Sequence, residues 1–450
     1  MLISFTVQNC RSFYEPVTLS MEPTKGGRRR TGHVFTQGGV RTQRLALLYG
    51  PNGAGKTNLL RALYLAVQAI LKNDCHILAN QSFRLPMLQV LPMRFELVFS
   101  RQRARYLYFF ETNGHQILKE QLVWLQEDSK KTTVFTRTET GAITIAAPLK
   151  NHTETQSKTD EWYKWRTLEP HMFWLRKVEE DGLRTQQVPG RNHLIAALDF
   201  LRSFVFLNDF ATHATNAPQA LFLQGAGFQD FLKTLIHNAD VGITDVIQEA
   251  LPQEEIQNLL KVLVPRPPLP LPVKKLQVIH CDFRKARYII LTQDAPDAPF
   301  TGSELKTRHG ETTFPLHLES DGTRRLFELS AALWRATKEE IVLVADEFDA
   351  FLHPVLVRQL LVDILGTKGL NSQFLLTTHT PDLLAEDVLH NDEVWMVEKR
   401  RDGSSDLYSL SRFMPRSDKN LRKGYLAGLY GAIPSFTRLV PEQEGDDDEE

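Results

Sequence analysis

The chain of 450 residues has only three cysteines, Cys10, Cys75 and Cys281. They lie far apart, with no CxxC pair and no metal-ligand spacing. That argues against a disulfide framework or a zinc site and points to a reducing cytosol. No apolar run is long enough to span a bilayer. The start, MLISFTVQNC, turns polar early and lacks a basic n-region and an apolar h-region, so no signal peptide is expected. Internal repeats and sustained heptads are missing too, which sets aside solenoids and coiled-coil arms. A soluble cytoplasmic protein without membrane association is expected. Net charge is scarce as well: Lys+Arg 53 against Asp+Glu 54 gives -1. This excludes a strongly basic protein but hides an asymmetry. Residues 442–450, EQEGDDDEE, hold seven acids, and without them the body carries +6.

What is present is ordinary for a globular protein, at 42% hydrophobic and 24% charged. The length suits two or three lobes. LISFTVQ (2–8) and PVTLSM (16–21) read as short strands, and LALLYG (45–50) as a buried parallel strand ending in glycine. A helix is predicted from Lys56, with Leu59, Leu63, Val67 and Ile70 on one face. MRFELVF (93–99), RYLYFFE (105–111) and QILKEQLVW (116–124) read as antiparallel strands, and 125–160 as hairpins or loop. Segments 194–207 and 229–263 read as mostly helical. PRPPLPLP (265–272) reads as an extended strap between lobes, and 280–292 as a strand pair. Beyond 310, a helix over 322–337, a strand at 341–345, a helix after Pro354 and strands at 373–378 and 393–398 are predicted. Alternating strands and helices argue for an α/β core with a parallel sheet, assembled from the two ends of the chain around a large insertion.

Residues 50–57, GPNGAGKT, match GxxxxGK[ST] in full, between an apolar strand and an amphipathic helix. Glycines let backbone N–H groups curl around phosphate oxygens, and the helix N-terminus favours the anion. Lys56 would neutralise β- and γ-phosphates, and Thr57 would ligate Mg²⁺. In IVLVADE (341–347), an apolar strand delivers Asp346 to the sheet edge, where it can hold Mg²⁺, and Glu347 one residue on can polarise an attacking water. Thr377-Thr378-His379 ends the next apolar strand, and Ser320 is a good N-cap for the helix before the acidic strand. Either feature alone would be structural; their order gives them meaning.

That order resembles ABC-type ATPases, and more closely the SMC/RecF/OLD-like branch. In particular the chain resembles RloA-like AAA-core, ATP-binding proteins of bacterial restriction and abortive-infection loci. NCRSF (9–13), GPNGAGKT (50–57), SDGTRRLFELS (320–330), VADEFDAFLHP (344–354), QFLLTTH (373–379), VEKRRDGSS (397–405) and YLAGLYGAIP (425–434) carry the resemblance. It implies a P-loop NTPase with the ABC-ATPase head fold, a mixed β-sheet with flanking helices, plus a large α+β insertion. The implied partition is 1–100 and 311–440 for the head, 101–310 for the inserted lobe and 441–450 for an acidic disordered tail. It also implies a homodimer sandwiching two ATPs. In it Asn52, Gly53, Ala54, Gly55, Lys56, Thr57 and Asn58 of one subunit would face Ser320 and Gly322 of the other. Glu347 would act as general base, Asp349 would sit in the loop crossing the interface, His379 would sense γ-phosphate, and Arg11 would reach the nucleotide. Asp321 stands where the pattern has glycine, so its carboxylate must point away or pair with Arg324 or Arg325. The Q-loop glutamine is left open between Gln81 and Gln89.

The insertion far exceeds what a transporter nucleotide-binding domain needs, and its prolines and strands oppose coiled-coil arms. Too little chain follows His379 for an OLD-like nuclease, and no clustered DxD is present, so no intrinsic nuclease is expected. Two functions remain. One is a defence ATPase whose ATP-dependent dimer, or a higher oligomer, controls a separately encoded effector. The alternative is a RecF-like DNA clamp, which the basic clusters at Arg28–Arg30, Arg101/Arg103/Arg105 and Arg284/Lys285/Arg287 would serve. The tail could lie on that basic surface and compete with a polyanion, although a merely solvating tail is the plainer reading.

Overall fold

The computed structural model describes residues 1–24, 32–37, 39–84, 91–126, 130–145, 168–184, 190–207, 222, 225–239, 241–263, 276–282, 287–293, 298–384, 388–413 and 420–434. The 265–272 strap, residues 127–129 and 146–160, Gln89, Arg28–Arg30, Arg284, Lys285 and the acidic tail lie outside them.

A seven-stranded antiparallel sheet starts from Leu2–Gln8, flanked by Val17–Ser20 and Met93–Arg101. It continues through Ala104–Thr112, Ile117–Leu125, Lys131–Thr138 and Ile143–Ile145. Met93, Phe95, Leu97 and Phe99 alternate with Arg94, Glu96 and Val98, so one face of that sheet is buried. A six-stranded sheet runs in the order Phe204–Leu207, Val342–Ala345, Gln373–Thr377, Leu45–Tyr49, Val394–Lys399 and Ser405–Ser409. Its pairings are parallel except the last. A third sheet of five strands, from Asp245–Ala250 to Thr312–Pro315, packs with helices Ala226–Asn238 and Gln253–Leu263, and the first of these helices also shares a cluster with Phe327 and Ala331.

The layers follow from which side of each strand is apolar. Ala46, Leu48, Val342, Val344, Leu375 and Val397 face a cluster holding Phe5, Phe95 and Phe110 of the antiparallel sheet and Leu59, Leu63, Val67 and Ile70 of helix Lys56–Leu71. That helix is therefore packed between the two sheets. Leu47, Tyr49, Leu343, Ala345, Phe374 and Leu376 face the opposite side, where Leu326, Leu329 and Leu333 of helix Asp321–Lys338 and Val357 and Leu361 of helix Pro354–Gly366 cover them. Buried Gln373 stitches the layers: its side-chain amide donates to the carbonyls of Leu2 and Gln43, and its Oε1 accepts from the Leu2 amide.

Two segments depart from the sequence expectation. Residues 194–207 are a helix, Arg191–Arg202, and then a strand, Phe204–Leu207, which pairs parallel with Val342–Ala345. Residues 229–263 likewise contain the strand Asp245–Ala250 between two helices. A four-residue apolar run such as FVFL has no period long enough to separate strand from helix, and pairing with a buried partner decides it. The parallel sheet thus takes an edge strand from mid-chain as well as strands from both ends.

Candidate functional site

The parallel strands bring Gly50, Asp346 and Thr378 to one edge of the sheet, because Thr377 pairs with Leu48 and Ala345 with Leu376. The 373–377 strand lies between the strand that precedes GPNGAGKT and the strand that precedes Asp346.

Backbone shape in the glycine loop is enforced by its neighbours. Gly50 has φ +150°, and a Cβ there would stand 2.2 Å from the Val397 carbonyl oxygen. Gly55 has φ +121°, and its Cβ would meet Ser405 Oγ at 2.4 Å and Ser12 Oγ at 2.8 Å. Ser405 Oγ donates to the Ala54 carbonyl at 2.5 Å, so the C-terminal hairpin supports the loop from beneath. The helix that follows has no side-chain cap at Gly55, which leaves its N-terminus to an anion. Lys56 is buried, with Nζ donating to the Gly50 carbonyl at 2.7 Å and to the Pro51 carbonyl at 3.3 Å. Burial lowers its pKa, opposed by the carboxylates of Asp346, Glu347 and Asp349.

One buried threonine organises the acids. Thr377 donates its hydroxyl to Asp346 Oδ1 and accepts from the Glu347 amide at 2.7 Å. Glu347 is exposed, at φ +46°. Arg325 donates from Nη2 to the carbonyls of Asp346 (3.1 Å) and Glu347 (2.9 Å) and from Nη1 to Glu328, bracing this turn. Asp349 Oδ2 accepts from the hydroxyls of Thr378 and Thr380 and from the amides of His379 and Thr380. Neither Thr377 nor Arg325 was assigned to the acids from sequence. Their partners lie some 20 to 30 residues away, and no local spacing encodes such contacts.

A cavity of about 330 Å³ is lined by residues 51–58 together with Asp346, Glu347 and His379. Asn52, Gly53, Ala54, Gly55, Lys56, Thr57 and Asn58 are therefore in one wall and the two acids and His379 in the other. A glycine loop with no room for a Cβ at Gly50 or Gly55, and the buried Lys56 ammonium on the cavity, fit a phosphate chain. Thr57 and Asp346, both on the cavity, are the oxygen donors that Mg²⁺ takes. Next to it, a second cavity of about 410 Å³ shares Asn58 and is lined also by Arg11, Gln81, Arg84 and Lys399. Arg11, at φ +55°, donates from Nε to Asn58 Oδ1 at 2.8 Å and from Nη1 to Gln81 Oε1. Of the two glutamines left open, Gln81 is thus beside the site.

Ser320, Gly322 and Asp349 do not line the cavity of their own chain. Ser320 caps helix Asp321–Lys338, accepting from the Thr323 amide at 3.1 Å. Gly322 lies under the Phe351 carbonyl, 2.8 Å from where a Cβ would be. Asp321 pairs with Arg324, so its carboxylate is neutralised on its own helix. Leu318, Phe351 and Val355 are exposed around this end.

Among the basic clusters, Arg101 pairs with Glu340 at 3.1 Å and Arg105 with Glu22 at 3.5 Å. Cys10 and Cys75 are free and buried, and burial pushes their thiols up to about 12 and about 11. Among the described residues no helix is long and apolar enough to cross a membrane.

Fold and site together define an α/β protein with a P-loop nucleotide site at the edge of a parallel sheet. The family described as "AAA domain, putative AbiEii toxin, Type IV TA system" matches residues 45–154 and 228–385, and the chain belongs to it. Similar solved structures include the SMC head domain from Thermotoga maritima, at 12% identity and TM-score 0.36, covering 91% of this chain and 98% of that one. Another is the SmcHead bound to the C-winged helix domain of ScpA, at 13% identity and TM-score 0.36, covering 92% and 99%. No curated protein matches the chain.

Proposed function

We propose that this chain is a Mg²⁺-dependent ATPase that closes head-to-tail on a second copy around two ATP molecules. Through that assembly state it would control a separately encoded effector in bacterial anti-phage defence. The observation that carries the ATPase reading is the single cavity walled by Lys56 and Thr57 on one side and Asp346, Glu347 and His379 on the other. Backbone amides of 52–57 would cradle the phosphates, whose negative charge would oppose the lowering of the Lys56 pKa by burial. Thr57 and Asp346 would hold Mg²⁺, which when bound neutralises charge developing on the phosphate oxygens. Glu347, its backbone held by Thr377 and Arg325, would take the proton of the attacking water, and His379 would contact the γ-phosphate. Arg11, bonded to Asn58 on the adjoining cavity, would reach the remote part of the nucleotide.

The dimer is supported by what the cavity omits. Ser320 and Gly322 sit at a helix end outside it, beside exposed Leu318 and Phe351, where they could complete a partner's site. Asp349 would sit in the loop facing that partner. In this reading 1–100 and 311–440 form the head, 101–310 the insertion, which also lends the head the strands between 104 and 145 and the 204–207 strand, and 441–450 the tail, in a cytoplasmic protein. A toxin–antitoxin description of the family supports work with a separately encoded partner. The DNA-clamp reading loses support where Arg101 and Arg105 are spent in ion pairs.

Lys56→Ala is expected to weaken ATP binding by at least about tenfold. Glu347→Gln is expected to bind ATP, hydrolyse it about 10²-fold more slowly and accumulate as a dimer in size-exclusion chromatography with ATP. Wild-type turnover in Glu347→Gln overturns the base assignment, and undiminished binding in Lys56→Ala overturns the site. Turnover stimulated by DNA with a steep salt dependence would favour the clamp.

A further inference from the structure

At the far end of the helix that opens with Lys56, about 24 Å from the loop, three metal-ligating side chains converge. Ligand atoms of Asp74, His76 and His171 all lie within 4.8 Å of one another. Asp74 caps the short 3-10 turn Cys75–Leu78 that follows the helix; its Oδ1 accepts from the His76 amide at 2.9 Å and faces His76 Nδ1 at 2.8 Å. That contact puts Asp74 Oδ1 and His76 Nδ1 side by side, near the spacing of two donors on one ion, where a metal would take the place of the proton between them.

His171 arrives from a remote segment, and backbone contacts hold that segment in place. The Cys75 amide donates to the His171 carbonyl at 3.0 Å, the Ile117 amide to the Pro170 carbonyl at 2.8 Å, and the Phe173 amide to Asn73 Oδ1 at 2.8 Å. The rings of His76 and His171 stand 4.9 Å apart, tilted by 39°. His115 stands beyond, its ring 6.1 Å from that of His76 and outside the cluster.

We propose that Asp74, His76 and His171 form a binding site for one divalent transition-metal ion of the Zn²⁺ class, with water in the fourth position. Two imidazoles and a carboxylate are a borderline-soft set that suits Zn²⁺ or Co²⁺ and does not suit Mg²⁺ or Ca²⁺, which prefer all-oxygen shells. Donors bound at about 2.0–2.2 Å from one ion lie roughly 3.5 Å apart, so small rotations of partly exposed side chains close the site. Bound there, the ion clips the end of the P-loop helix to the segment that leads into helix Trp174–Glu180. Cysteine spacing, from which no zinc site was expected, is silent on a set built from histidines in two remote segments.

The test uses the full chain, free of any histidine tag, stripped of metal and kept in saturating Mg²⁺ so that the nucleotide site is not scored. Titration with Co²⁺ is expected to give one equivalent per chain with the visible absorption of a four-coordinate nitrogen- and oxygen-ligated ion, displaced by Zn²⁺, and Zn²⁺ is expected to raise Tm. His76→Ala/His171→Ala should bind Co²⁺ at least about 100-fold more weakly and lose the Tm rise, Asp74→Asn at least about tenfold more weakly, and Lys56→Ala should match wild type. Should the double variant not fold, His76→Ala, whose ring is about half exposed, gives the same comparison. Unchanged affinity in the variants, or a wild-type Kd above about 1 mM, overturns the site.

Discussion

A methyl group at Gly55 would meet Ser405 Oγ at 2.4 Å, whereas one at Gly53, with φ +75°, would meet nothing within 4 Å. The two glycines therefore separate two costs of side chains in a phosphate loop. Gly53→Ala carries only the left-handed strain, about 1–2 kcal/mol, and is expected to keep ATP binding within about tenfold. Gly55→Ala must also push away Ser405, which holds the Ala54 carbonyl, and is expected to lose more than about tenfold in a fluorescent-nucleotide titration. Equal losses in the two variants would show that the hairpin beneath the loop does not matter. Gly55 was assigned from its place in GPNGAGKT; its contact with Ser405 was not, because 350 residues separate them.

Among the elements, the turns after the 342–345 and 373–377 strands work as one unit, since Asp349 Oδ2 accepts from four donors at Thr378, His379 and Thr380. Asp349→Ala leaves those donors without their acceptor, at a cost of about 1–3 kcal/mol. The loop carrying His379 is expected to loosen while the Lys56 cradle stays intact. In steady-state kinetics kcat should fall by about tenfold or more with KM for ATP nearly unchanged. A rise in KM alone would place Asp349 in ground-state nucleotide binding instead. The elements themselves were mostly legible. Helix Asp321–Lys338 has local periodicity and its Ser320 cap, and the strands at 45–49, 342–345 and 373–377 are apolar runs closed by Gly50, Asp346-Glu347 and Thr378-His379. The strand Phe204–Leu207 was not legible, because four apolar residues acquire a strand's identity from the neighbour they pair with.

Across the whole molecule, two sheets of different kinds share one interior, and Gln373 is where their backbones meet. Its amide satisfies Leu2 and Gln43 from the first position of a buried strand. Gln373→Ala strands these polar groups in the core and is expected to destabilise the fold by about 2–4 kcal/mol, read as a lowered urea midpoint. An unchanged midpoint would mean that the sheets are held by apolar packing alone. The sequence by itself determined the patterns on which the proposed nucleotide chemistry rests: GPNGAGKT, the apolar strand ending in Asp346 and Glu347, and the strand ending before His379 are contiguous patterns whose meaning lies in local spacing. Only the tertiary structure decided which residues support that chemistry. Thr377 under both acids, Arg325 across their carbonyls, Gln81 beside Arg11 and Asp74 and His76 beside His171 are meetings between remote segments. Burial and hydrogen-bond satisfaction select such meetings only once the layers have packed.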